Sequence, residues 1–133
     1  MLKDFVEHCL RQNASLGVLG MDVPNPKGYG RFILSPEGTL QSIIEEKDTD
    51  DSSRKITVCN AGIYFAEVTF LFSLLSQIEN RNVQQEFYLT DCVGLSVQRG
   101  KPVQAFISKD WSSLAGVNDQ VQLNEIAALM EKI

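Results

Sequence analysis

Short apolar runs alternate with segments of helical period along most of this chain, and that alternation constrains its fold more than any other feature. Leu2, Phe5, Val6, Cys9 and Leu10 recur at helical spacing and predict an opening amphipathic helix, with Asn13 as its stop. Leu16 to Met21 reads as a short buried strand. Asn25-Pro26-Lys27-Gly28-Tyr29-Gly30 must be a loop, because Pro and Gly together prevent regular structure. Arg31 to Leu34 and Leu40 to Glu45 predict a hairpin around the Ser35-Pro36-Glu37-Gly38 turn. Ile56 to Phe65 is β-branched enough for a strand, interrupted at Asn60-Ala61-Gly62. Val68, Leu71, Phe72, Leu75 and Ile78 mark a helix. Another helix starts near Thr90 or Asp91 and ends at Gly100, followed by a strand over Val103 to Ile107. Asp119 and Gln122 form a capping-box pair for a last helix, whose apolar side is Leu123, Ile126, Ala127 and Met130.

This order predicts an α/β class. The chain opens on a helix rather than a strand, and it offers few helices to cover both faces of a sheet. It therefore reads as part of a layered structure, with a bare sheet face and edge. The 133 residues suffice for one domain with a modest core. No stretch approaches the ~18 apolar residues of a membrane span. The N-terminus carries charge throughout and lacks the apolar core of a secretory leader, so a cytoplasmic location is expected. A net charge of −5 with no compensating basic block argues against nucleic acid as a partner.

Cys9, Cys59 and Cys92 match no zinc spacing, and each sits among apolar neighbours, so they are expected as small buried hydrophobes in a reducing compartment. The one histidine, His8, falls on a helical surface position. Nothing assembles a Ser/His/Asp triad or a Cys/His pair. The polar run from Lys47 to Lys55 reads as a solvated loop.

Five segments in order carry a resemblance: Asn25-Pro-Lys-Gly-Tyr-Gly-Arg31, Ile44-Glu-Glu-Lys-Asp48, Cys59-Asn-Ala-Gly-Ile63, Glu86-Phe-Tyr-Leu-Thr-Asp91 and Gly116-Val-Asn118. Together they resemble the uridylyltransferase domain of bacterial N-acetylglucosamine-1-phosphate uridylyltransferases, which in most bacteria is fused to an acetyltransferase β-helix. The resemblance covers the second half of that domain. The family's Gly-rich nucleotide loop, its Gln-containing uracil segment and its Gly-Asp-x-Pro metal segment have no counterpart. Gly17 to Gly20 lies inside a predicted strand and lacks the phosphate-gripping residues. Ala61, Gln85 and Phe87 stand where the family often has Thr or Ser, Gly, and Tyr. The implied fold is a partial Rossmann-like nucleotidyltransferase, a mixed sheet flanked by helices with its N-terminal half absent. Residues 1–133 would then form the C-terminal portion of a single sugar-1-phosphate nucleotidylyltransferase domain.

The resemblance implies roles for particular residues, each beside a plainer reading. Gly30 would let the sugar approach the backbone, or is a turn glycine. Glu45 would accept bonds from sugar hydroxyls, or is a solvated strand-end acid. Asn60 would bond the sugar or its N-acetyl group, or is a turn residue. Tyr88 would pack on the sugar, or is a core aromatic. Thr90 would sit near phosphate, cap a helix, or both. Asn118 would be a Mg²⁺ ligand, with the second ligand on the absent half, or an N-cap. No residue is expected as an enzymic nucleophile, since phosphoryl chemistry of this kind needs positioning and charge neutralisation.

The implied parent activity is nucleotidyl transfer from UTP to N-acetylglucosamine 1-phosphate, giving UDP-N-acetylglucosamine for cell-envelope polymers such as peptidoglycan and lipopolysaccharide. This chain would bind the sugar phosphate but be inactive alone. It would handle UTP only with the absent half, and it would self-associate or pair with that half. The competing readings are a non-catalytic sugar-phosphate-binding module and a nucleotidylyltransferase for another sugar.

Overall fold

A computed structural model of the chain describes residues 1–79 and 85–115, together with Asn124 and Ala128. Helix α1 spans Leu2–Arg11, α2 Val68–Leu75 and α3 Asp91–Gln98. The strands are β1 Leu16–Asp22, β2 Arg31–Leu34, β3 Leu40–Ile44, β4 Val58–Ala66 and β5 Val103–Ser108. Each overlaps the segment expected for it, with ends that differ by up to three residues: α2 stops at Leu75 rather than near Ile78, and β4 begins at Val58 rather than Ile56. Asn124 and Ala128 are helical, but the rest of the expected last helix lies outside the described residues, as does Asn118.

Both longer-range stops read from the sequence have a clear physical basis. Asn13 takes a φ of 53° just past α1. Its N–H donates to Leu10 O at 3.1 Å, and Ala14 N–H donates to Cys9 O at 3.0 Å. Gly100, at φ 75°, ends α3 in the same way, with Gly100 N–H on Val97 O and Lys101 N–H on Ser96 O. These are paired Schellman bonds, which satisfy carbonyls that a helix end leaves open. Helix α2 starts on Glu67, whose carboxylate accepts from Thr69 N–H and Phe70 N–H.

The sheet is built around β1, which pairs parallel to β5 on one side and antiparallel to β4 on the other. Every residue from Leu16 to Met21 is buried, as a central strand covered on both faces requires. Leu16 and Val18 join Phe32, Leu40, Ile43, Leu74, Cys92, Val93 and Val103 in the main core under α2 and α3. Leu19 faces the other way, with Phe5 and Cys9 of α1. The two glycines of β1 are packing residues. A Cβ on Gly17 would stand 2.5 Å from Cys9 Sγ, and one on Gly20 would stand 2.5 Å from the Phe32 ring. All three cysteines are buried and unpaired, in agreement with their apolar sequence contexts.

Two features depart from the expected open layer. First, the mixed sheet curls until its ends meet: Arg31 pairs with Cys59, Leu40 pairs with Val103, and the five strands close in the order β1-β4-β2-β3-β5. Strand twist carries the short hairpin β2–β3 round to β5, so the edge predicted to be bare is partly satisfied. Second, β4 is not interrupted at Asn60-Ala61-Gly62. Gly20 pairs with Asn60 while Leu19 pairs with Ile63, so Ala61 and Gly62 bulge out of a continuous strand. Gly62 tolerates this bulge through its φ of 80°.

The polar run after β3 is more ordered than a bare charge count implies. Asp50 Oδ1 accepts from Ser53 N–H and Ser53 Oγ, both at 2.8 Å, and from Ser52 Oγ at 3.0 Å. The Ser53 backbone bond, followed by the serine hydroxyls, pulls the Asp50 carboxyl down to about 2.

Arg31 is the most unusual core residue, a guanidinium only 1% exposed. It bonds Glu46 and the Tyr29 carbonyl through Nη1, and the Arg54 carbonyl through Nη2 at 3.1 Å. Replacing it with Met removes that fork and strands two carbonyls. Arg31→Met is expected to lower stability by about 3 kcal/mol in urea unfolding, and Arg31→Lys to recover only part of this, because an ammonium cannot span the three acceptors. A stability unchanged in Arg31→Met contradicts the assignment. Gln85 holds a φ of 53°, a left-handed conformation at the position where the resembled family often has Gly. Relief of that strain makes Gln85→Gly stabilising by about 0.5–1 kcal/mol by the same measurement.

Candidate functional site

Gly30, Glu45 and Asn60 come from three separate segments and meet at one place. Gly30 is buried at the entry to β2, directly across from the residue that follows β3. A Cβ on Gly30 would lie 3.0 Å from Ile43 Cγ2, 3.6 Å from Glu45 Oε2 and 3.7 Å from Asn60 Cβ. Only a glycine leaves this point open between a carboxylate and an amide. The backbone locks the arrangement, since Asn60 N–H donates to Gly30 O at 2.8 Å.

Glu45 stands at the end of β3, where the chain turns into a short 3-10 segment over Glu46–Asp48. Its Oε1 accepts from Thr90 Oγ1 at 2.9 Å. Thr90 is 5% exposed and occupies the N-cap position of α3, but its hydroxyl makes no capping bond. The capping role open to Thr90 in the sequence is therefore not the one its side chain performs. It ties the start of α3 to the strand-end acid instead. Glu45 Oε2, next to Gly30, is the oxygen turned toward the open point.

Asn60 is held at both ends of its amide. Oδ1 accepts from Gly62 N–H at 2.9 Å, and Nδ2 donates to Tyr64 Oη at 3.3 Å. Tyr64 was not among the candidate residues. Burial pushes its phenol up to about 12, with Glu45 and Cys92 adding to the rise and the Asn60 bond opposing it. Even spacing places the two on one face, but only the bulge at Ala61 and Gly62 brings them within bonding distance, and the sequence pattern does not show that.

Tyr88 is partly buried and belongs to the same neighbourhood. Desolvation, then the carboxylates of Asp48, Glu86 and Glu45, push its phenol up to about 12, so the ring carries a neutral hydroxyl. Asp91, the first residue of α3, is raised by desolvation and by Asp48. Gly30, Glu45, Asn60 and Thr90 are thus brought together by direct contact, and Tyr88 by its electrostatic coupling to Glu45. Lys47 is exposed. Asn118 lies outside the described residues. Among the described residues, no group of three or more His, Cys, Asp or Glu could hold a metal ion, and no helix is long and apolar enough to cross a membrane.

The cluster offers hydrogen-bond acceptors and donors at an open point beside the backbone. A carboxylate oxygen accepts, an amide donates, and a glycine admits a ring close to the backbone. A separate concavity of about 400 Å³ lies between the end of α2 and α3, lined by Gln77, Ile78, Glu79, Asp91, Gly94, Leu95 and Gln98. It shares none of the converging residues.

No protein-family model matches the chain. It is 44% identical over 115 residues to the bifunctional protein GlmU of Corynebacterium efficiens, covering 86% of this chain and 24% of that protein. The GlmU of Geotalea daltonii is 39% identical over 129 residues, covering 97% of this chain and 28% of that protein. That of Lactococcus lactis is 37% identical over 131 residues, covering 98% and 29%. The chain therefore spans 24–29% of the length of these relatives. Its fold matches that of a Bacillus anthracis protein named as a glucose-1-phosphate thymidylyltransferase, with a TM-score of 0.67 at 20% identity, over 99% of this chain and 50% of that one. The mixed sheet flanked by helices is thus a partial nucleotidyltransferase fold, and the chain is similar in sequence to a segment of the GlmU proteins that makes up 24–29% of their length.

Proposed function

We propose that this chain provides the sugar-phosphate side of an N-acetylglucosamine-1-phosphate uridylyltransferase site. One observation carries the reading: Gly30, Glu45, Asn60 and Thr90, distant in sequence, converge on a single open point. In the reaction implied by the family, a phosphate oxygen of the sugar phosphate attacks the α-phosphorus of UTP in line, and pyrophosphate leaves. The protein's part is to fix the attacking group. Glu45 Oε2 would accept a hydrogen bond from a sugar hydroxyl, Asn60 would donate to a ligand oxygen, and Tyr88 would cover the ring. Thr90 would act by orienting Glu45.

The 133 residues contain no nucleotide-gripping loop, so we take this chain as the C-terminal portion of one nucleotidylyltransferase domain, able to bind but not to complete transfer by itself. Magnesium would lean on Asn118 and on phosphate oxygens. The described residues form no centre for it, and the binding roles of Glu45 and Asn60 do not require it. UDP-N-acetylglucosamine as the product, service to cell-envelope synthesis and a cytoplasmic setting follow from the same family reading. Self-association also belongs to it. Leu2, Val6 and Leu10 leave an apolar stripe of α1 uncovered, and Phe72 of α2 is 65% exposed, surfaces that favour burial against another chain or a second copy.

Calorimetry with N-acetylglucosamine 1-phosphate is expected to show binding by the full chain. Glu45→Gln should weaken it about tenfold, because a charge-assisted bond is lost while the shape remains. Gly30→Ala should weaken it at least as much, by filling the open point. Absence of binding by the unaltered chain, or an unchanged affinity in Glu45→Gln, defeats the reading. Pyrophosphate release from UTP and the sugar phosphate at the rate of a full-length relative defeats the claim of incompleteness. Sedimentation of the chain at rising concentration should show association, and a monomer throughout would rule it out.

A further inference from the structure

We propose that Tyr64 is a positioning residue for this site, holding the Asn60 amide so that its second Nδ2–H is the group offered to a ligand. The inference rests on the reading that Glu45 and Asn60 bind a sugar phosphate, and it deepens that reading.

The argument begins with the bulge. Four residues of flat strand span about 13 Å, beyond the reach of a hydrogen bond between their side chains. In β4, Asn60 pairs with Gly20 and Tyr64 pairs with Val18. Those β1 partners are only two residues apart and lie on the same face. The two bulged residues, Ala61 and Gly62, thus shorten the path to about 7 Å without flipping either side chain to the other face. The Tyr64 hydroxyl then reaches Asn60 Nδ2 at 3.3 Å.

Chemistry fixes which end of the amide points where. The Gly62 backbone N–H can only donate, so the atom it meets at 2.9 Å must be the Asn60 oxygen. The nitrogen must therefore face Tyr64, whose hydroxyl can accept. One amide proton is used there and one remains. Glu45 is similarly half-used, with Oε1 taken by Thr90 and Oε2 beside Gly30. The site therefore pairs one oriented acceptor with one oriented donor. Such a pair suits vicinal polar groups on a pyranose ring, of which one donates and the other accepts. Without Tyr64, Nδ2 loses its internal acceptor and the amide is free to swing about the Gly62 bond.

Tyr64→Phe keeps the ring and removes the hydroxyl. The test is a cycle of Tyr64→Phe, Asn60→Ala and the double variant, titrated with N-acetylglucosamine 1-phosphate, with thermal melts to confirm folding. Tyr64→Phe is expected to weaken binding about fivefold in the native background and to add nothing in the Asn60→Ala background. An equal loss in both backgrounds marks a merely structural role and overturns the inference. In the ligand-free chain, Tyr64→Phe should also shift the Asn60 side-chain amide resonances in nitrogen–proton NMR spectra. If the unaltered chain binds while Tyr64→Phe leaves affinity and resonances untouched, this inference fails and the site reading stands. If the unaltered chain binds no sugar phosphate, both fail together.

Discussion

The buried guanidinium of Arg31 is the interaction on which the site geometry depends. A cation removed from water must be met by fixed acceptors, because the cost of leaving it unpaired is prohibitive. Here the acceptors are the Glu46 carboxylate and the carbonyls of Tyr29 and Arg54. They belong to the Pro/Gly loop before β2, the turn after β3, and the ordered polar segment beyond it. None of the three can drift without stranding the charge. Gly30 and Glu45 are the immediate chain neighbours of Arg31 and Glu46, so the ion pair sets the separation of the two residues that flank the open point. Its Nε finds no partner among the described residues, which shows how far packing has overridden full hydrogen bonding at this position.

The sheet supplies the second constraint. β1 is buried throughout because it is flanked by β4 and β5 and covered on both faces. Gly17 and Gly20 let α1 and Phe32 come close to it. That close packing holds β4 in register, and the register positions the bulge. The bulge in turn places Asn60 across from Gly20 and brings Tyr64 within reach of it. A flat strand that kept Ala61 and Gly62 in line would hold the phenol about 13 Å along the chain from the amide, out of reach.

Electrostatics completes the picture around the opening. Desolvation first, then the carboxylates of Asp48, Glu86 and Glu45, keep the Tyr88 phenol protonated, and Asp91 is raised by its own desolvation and by Asp48. An acidic rim of this kind accepts hydroxyl donors readily and resists phosphate.

The sequence by itself determined the order and type of the elements, and through a resemblance it named candidate site residues. Helical period, short apolar runs, Asn13 and Gly100 located α1, the strands and α3 to within a few residues, because these depend on local backbone preference and on a repeating apolar face. Gly30, Glu45, Asn60, Tyr88 and Thr90 fall in four of the five ordered motifs that carry the resemblance. Tertiary structure alone decided how they are used. It closed the sheet through Arg31–Cys59 and Leu40–Val103, made Arg31 a buried clamp, turned Thr90 from a cap into a partner of Glu45, and added Tyr64. Each depends on contacts between segments remote in sequence. Their positions are set by twist, by a two-residue bulge and by the need to neutralise one buried charge, and no local pattern of residues encodes those distances.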